Sequence, residues 1–391
     1  MTEAVRPNRD TTTMACYGLI STWAFFIYFV GPVTPLISQE MGVSTTLAGL
    51  TGSAVAVGLV LSGVVGPRMV GATGRRGALL ASVAVMAIAA LMLSAVPGFA
   101  GILVFIGVCA LFGAVLANTA TAVLSDRHGP GGARVITEAN AVAAWIGLFA
   151  PAVLGVMAGL SWGWRPAAIV IALVAGSMFL VARRTSSADV GAVHPERVVR
   201  PATDESARVR MPTAFYWCLV GVAAAVATEF SINFWGALLV AQRTGADLAT
   251  ATVFMSVPIA GVALGRTLGA PLVARVSANR LVVGAFLLAG VGLAIIVAAP
   301  VLELSVAGLL VAGLGISLLF PLTQSLAISN SGGRSVHAVA LVAVAIGVSM
   351  GAAPFALGAL SSAIGIVPAF GLVPAVILSG IVSVWVRTRR A

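Results

Sequence analysis

Charge is what this 391-residue sequence has least of. Only 9% of its residues are charged against 60% hydrophobic, and its mean hydropathy is +1.08. Soluble domains carry about 25% charged residues, so this composition cannot cover a water-facing surface of such size. A bilayer is the remaining solvent. Lysine is absent altogether: all 22 basic residues are arginine, and the formal net charge is +10. Nucleic-acid binding needs basic side chains gathered on one solvated face. Here they stand one to three at a time between long apolar runs, which argues against nucleic acid as a partner. Cysteine is scarce too. Cys16, Cys109 and Cys218 have unrelated spacings, so neither a disulfide framework nor a metal site is expected.

Catalytic motifs are equally thin. No phosphate-binding loop, His-Glu-x-x-His or paired Cys-x-x-Cys occurs, which leaves ATP hydrolysis and metal catalysis without support. Gly347-Val-Ser349-Met-Gly351 matches the serine-hydrolase pattern, but that motif needs a strand–turn–helix elbow and here lies within an apolar run. The nearest histidine in sequence, His337, would be about 18 Å away along a helix. No enzyme and no bound cofactor are therefore expected.

What is present is a series of apolar runs. A spanning helix needs roughly 20 apolar residues to cross a hydrocarbon core about 30 Å thick. By that ruler the chain holds twelve: 14–38, 46–69, 77–97, 99–124, 136–160, 165–183, 213–241, 248–273, 279–299, 302–328, 336–361 and 366–386. The arginines orient them, because short cytoplasmic loops accumulate Arg and Lys. With residues 1–13 as a cytoplasmic tail, 19 of the 22 arginines fall inside, Arg165 and Arg243 fall outside, and Arg266 lies within a run. This places both termini in the cytoplasm, with 387–391 as the second tail. Residues 184–212 are too polar to pack a core and divide the chain into bundles at 14–183 and 213–386. His194 in that loop reads as a solvated side chain.

The two halves repeat at an interval of about 203 residues. Pro151 and Gly155, followed by Gly163 and Pro166-Ala167, match Pro354 and Gly358, followed by Gly365 and Pro368-Ala369. Pro67 to Arg76 likewise matches Pro271 to Arg280. Parallel six-helix repeats are an architecture of secondary transporters, whose substrate site lies between the halves near the midplane.

On these features the chain resembles the major facilitator superfamily over essentially its whole length. The resemblance implies an all-α integral membrane fold of twelve helices in two pseudo-symmetric six-helix bundles. In the family's loop after the second helix, Gly74-Arg75-Arg76 is retained, while Gly71 and Ala72 stand where an Asp-Arg pair belongs. The helix 4 arginine of proton-linked members aligns with Cys109. Ala150-Pro151 and Gly155 retain part of an antiporter element, and Gly163-Trp164-Arg165 is similar to an external loop of the drug-efflux branch.

Two charged residues lie deep in runs. Glu229, the only such acid, sits roughly 20–24 Å from the cytoplasmic end of its run. A lone carboxylate there is costly to ionise, so it either takes a proton or finds a cation; a structural carboxylate closing a helix contact is the competing reading. Arg266 lies about 14 Å above its cytoplasmic exit and could reach toward Glu229 or snorkel to the interface. Together they form the candidate proton-coupling pair.

Candidate substrate-cavity residues are Trp23, Tyr28, Asn118, Thr121, Trp145, Asn233, Trp235, Ser317 and Gln324, with plain packing as the alternative for each. Asn233 falls one turn from Glu229 on the same helical face. Arg75, Arg76, Asp126, Arg127, Arg134, Glu138, Arg275 and Arg280 are candidates for a cytoplasmic gate network, against a merely solvated loop. Gly261, Gly265 and Gly269 form a small-residue stripe suited to close helix packing.

The expected function is alternating-access transport of a small organic molecule. Proton-coupled efflux of an amphipathic drug or metabolite, in a bacterial cell membrane and by a monomer, leads this reading. A proton-linked importer or facilitator of a sugar or similar nutrient is the alternative, and a non-transporting membrane sensor is the reading from another class.

Overall fold

The computed structural model describes residues 9–185 and 211–390; nearly all of the expected central loop, with His194, lies outside them. Every regular element among the described residues is helical. The elements used below are α1 (Thr11–Met41), α2 (Leu50–Ala95), α3 (Phe99–His128), α4 (Gly132–Gly147), α5 (Phe149–Gly159), α6 (Arg165–Ala182) and α7 (Thr213–Thr244). They continue as α8 (Leu248–Phe254), α9 (Ser256–Arg275), α10 (Ala278–Ala298), α11 (Leu302–Ser329), α12 (Ser335–Ile364) and α13 (Leu372–Arg390).

Among the described residues, 11 helical segments are long and apolar enough to cross a membrane. The difference from the twelve runs lies at 46–69 and 77–97, which join into one segment, Thr45–Ala95, of 51 residues. At 1.5 Å per residue that is about 77 Å, more than twice the hydrocarbon thickness. The backbone breaks at Gly74, with φ 71° and ψ 171°, a conformation open essentially to glycine alone.

Large apolar side chains such as Leu173 (66% exposed) and Leu268 (64%) face outward, as expected where lipid is the solvent. Helix ends follow ordinary capping chemistry. The Asp247 carboxylate accepts the Thr250 amide at 2.8 Å and its hydroxyl at 2.6 Å, which opens α8. Gly245, at φ 71° and ψ 7°, closes α7.

Two compact units emerge. Unit 1 holds 9–27, 57–147 and 165–185 of the described residues, and unit 2 holds 28–56, 148–164 and 211–390. The described residues of unit 1 thus end where the sequence division at 184–212 begins, whereas unit 2 draws on both sides of that division. Unit 2 takes in the later half of α1, the start of α2 and all of α5.

Small residues set the closest approaches in unit 2. Gly292 and Gly308 bring α10 onto α11, and Gly315 abuts the backbone of Ala285 and Ala289. The stripe Gly261, Gly265 and Gly269 faces α11 at Leu310, Ser317 and Leu318, so it serves packing. The repeated glycines occupy equivalent settings: Gly155 lies against the backbone of Ala249 and Val253, and Gly358 against the Thr45 carbonyl and the Trp235 ring. A side chain at either position would push these segments apart.

Candidate functional site

Inside unit 2, Tyr28 from α1, Glu229, Ile232 and Asn233 from α7, Pro258, Ile259 and Val262 from α9, and Ile316 from α11 line a cavity of about 20 Å³. That is room for about one water molecule. The walls are apolar except for the phenol, the carboxylate and the amide. Glu229 is half-buried, and among the described residues it makes no hydrogen bond and no ion pair within 4.0 Å. Arg266 is the charged group that acts electrostatically on it, and Tyr28 experiences both charges. The Arg266 guanidinium instead donates through Nε to the Ser317 carbonyl at 3.4 Å. The two deep charges therefore share one environment without forming a direct pair.

Asn233 is buried, at 8% exposure, and its Oδ1 has no hydrogen-bond partner among the described residues. That oxygen lies against α1 at Gly31, where a Cβ would collide with it. Asn233 thus ties α7 closely to the α1 backbone one turn from Glu229. Trp235 sits elsewhere than a cavity wall. It is fully buried, its indole N–H donates to the Pro354 carbonyl at 2.8 Å, and its ring packs on Gly358. The Ser317 hydroxyl is spent on the Leu314 carbonyl at 2.6 Å. Its backbone oxygen, invisible to a side-chain reading, is what meets Arg266. Gln324 is half-buried.

The four candidates of unit 1 do not converge. Trp23 stands 5.9 Å from Phe26 with its ring against Gly113, and Thr121 donates to its own helix at Ala117. Asn118 is exposed, as is Trp145.

Among the gate candidates, those of unit 1 make charge contacts with one another and with residues at the start of α1 and just before it. Glu138 accepts Arg9 at 3.0 Å, Arg134 at 3.3 Å and the Tyr17 hydroxyl at 3.2 Å. Asp126 pairs with Arg75, and Arg127 with Asp10. Asp10 also accepts the Thr13 amide and hydroxyl at 2.9 and 2.8 Å, while Thr13 Oγ1 lies 3.0 Å from His128 Nε2. Partial burial works against ionising Asp10, but the Thr13 amide and Arg127 outweigh it and hold its carboxyl below the usual range. Arg76 donates to the carbonyls of Thr185 and Arg183 at 2.7 and 2.9 Å. Arg165 closes another turn, on the carbonyls of Ser94 and Val96. In unit 2, Arg275 and Arg280 are exposed and make no ion pair among the described residues. The Gly-x-Ser-x-Gly sequence lies within α12, with Gly351 packed on Ala56, so no nucleophile elbow forms.

A family model described as Major Facilitator Superfamily matches residues 14–335, most of the chain. The chain belongs to the major facilitator superfamily. Solved structures of similar fold include a bacterial homologue of the human lysosomal transporter Spinster, with a TM-score of 0.67 at 17% identity over 98% of this chain and 93% of that one. A peptide transporter gives 0.77 at 14% identity, over 96% and 94% of the two chains. The superfamily transporter FucP in its outward conformation gives 0.61 at 15% identity, over 97% and 99%. At such identities the likeness is one of fold. No curated protein matches the chain. Membership makes this protein a multi-pass membrane transporter of small molecules rather than an enzyme.

Proposed function

We propose that this superfamily member is a proton-coupled secondary transporter that exports a small amphipathic molecule by alternating access. The observation that carries the reading is Glu229, a carboxylate without a direct partner in a cavity walled mainly by Ile232, Pro258, Ile259, Val262 and Ile316. Ionised, Glu229 is held by the nearby positive charge of Arg266; protonated, it releases that attraction. Asn233 one turn on carries the change to α1 at Gly31. The 51-residue segment crosses twice in this reading, giving twelve crossings in two repeats. Both termini lie in the cytoplasm of a bacterial cell, the monomer is the working unit, and the proton gradient supplies the energy.

A second reading, import of a polar nutrient, is favoured by one feature. A recess of about 410 Å³ in unit 2 is lined by uncharged hydroxyl and amide groups, among them Ser38, Gln39, Thr45, Gln242 and Ser362. Its chemistry suits a molecule rich in hydroxyls.

The test is proton movement in proteoliposomes on addition of candidate substrates from either side. Glu229→Gln should abolish substrate-driven proton flux while leaving the protein folded. Unchanged coupling in that variant overturns the proton role, and flux only of polar solutes in the inward direction selects the second reading.

A further inference from the structure

Antiparallel helices sort the charges of unit 2 by end. Where α7 begins and α13 finishes stand Arg275, Arg280, Arg387 and Arg389, whereas Glu40, Asp247 and Glu303 lie at the opposite helix ends and Glu229 in the interior. Among the described residues of this unit no carboxylate shares the arginine end. Arg387 is the sharpest case. It is only 7% exposed, beside Cys218 and Gly221 of α7 and Thr323 of α11; among the described residues it carries no counter-charge, and it donates to the Asn279 side chain of α10. A buried guanidinium without a counter-charge is costly and attracts an anion.

The surface above it has the matching form. Arg389 lies 3.7 Å from the ring centroid of Trp385, which is 53% exposed. Leu378, Val382, Trp385 and Arg389 share one face of α13, and Leu378 and Val382 are exposed at 60% and 47%. An apolar stripe thus ends in a tryptophan and a guanidinium, the order in which a bilayer passes from acyl chain to headgroup. Arg280, next to Asn279, is exposed and makes no ion pair among the described residues.

We propose that this end of unit 2 binds the phosphate of an anionic phospholipid. Arg280 and Arg389 donate to the phosphodiester, the acyl chains lie along Leu378 and Val382, and Arg387 adds positive charge at the same helix end while pinning α13 to α10. The adjoining apolar stripe selects a lipid over free phosphate. This site is independent of proton coupling at Glu229.

Full-length protein, delipidated in neutral detergent, is titrated with phosphatidylglycerol, phosphatidylcholine or inorganic phosphate. Thermal unfolding and native mass spectrometry provide the readouts. Phosphatidylglycerol should be retained and raise Tm; the other two should not. Arg280→Gln with Arg389→Gln, both at exposed positions, should weaken phosphatidylglycerol binding roughly 25-fold, about fivefold per arginine. The charge-matched Arg68→Gln with Arg184→Gln in unit 1 should cost less than about twofold. Equal shifts with both lipids, equal losses in the two double variants, or phosphate alone reproducing the shift would each overturn the assignment.

Discussion

The charge network of unit 1 and the two interior charges of unit 2 are treated in opposite ways. In unit 1, Glu138 serves two arginines and a tyrosine, and Asp10 serves Arg127 and Thr13. These groups remain partly exposed, so water shares the cost of ionisation and each contact adds modestly to stability. In unit 2, Glu229 and Arg266 are half-buried without a direct pair, and a buried amide oxygen of Asn233 lacks a partner. Polar groups left so are expensive to keep. A fold that joins charges into a network in unit 1 and holds Glu229 and Arg266 apart in the interior of unit 2 separates holding its shape from doing its work.

Neutralising the interior of unit 2 gives the largest expected effect. Glu229→Gln with Arg266→Gln should cut coupled transport about 100-fold, the scale of a lost positioned proton carrier. Because an imperfectly paired charge is removed with its partner, thermal unfolding should come no earlier. A large fall in Tm would place these residues with the structural charges of unit 1 and erase the contrast.

Glu138→Gln should do the reverse. Losing the shared acceptor of Arg9, Arg134 and Tyr17 should cost about 1–2 kcal/mol in unfolding measurements and leave transport within about threefold. Transport loss as severe as that of the interior variant would make the network part of the machinery.

Asp10 should show the smallest effect. Its folded carboxyl titrates below the ordinary value, so it contributes stability that is present above the unfolded value of about 3.9 and lost as pH falls through the lower folded value. Asp10→Asn should flatten that acid-side loss and cost less than about 1 kcal/mol at neutral pH. A melting profile whose acid-side slope is unchanged would show that Thr13 and Arg127 do not hold the carboxyl.

Much of this was legible in the chain. Sparse charge and long apolar runs identify a membrane protein, because bilayer thickness and helical rise turn composition into length. The repeat of Pro151-Gly155 at Pro354-Gly358 points to two equivalent close packings, and the helical period puts Asn233 on the face of Glu229. Other features could not be read that way. Trp235 looks like a cavity aromatic until α12 brings Pro354, 119 positions away, to its indole. Asp10, Thr13 and His128 look like loop polarity until α1 meets α3. Tyr28 joins Glu229 only because unit 2 includes the later half of α1.

Solvent, helicity, repeat and the depth of Glu229 and Arg266 all follow from hydropathy and spacing along a single chain. Helix packing decided that Arg266 reaches the Ser317 carbonyl and that Gly31 seats the Asn233 oxygen. Those outcomes depend on how each helix is rotated about its axis and on which neighbours meet it, and close packing sets both.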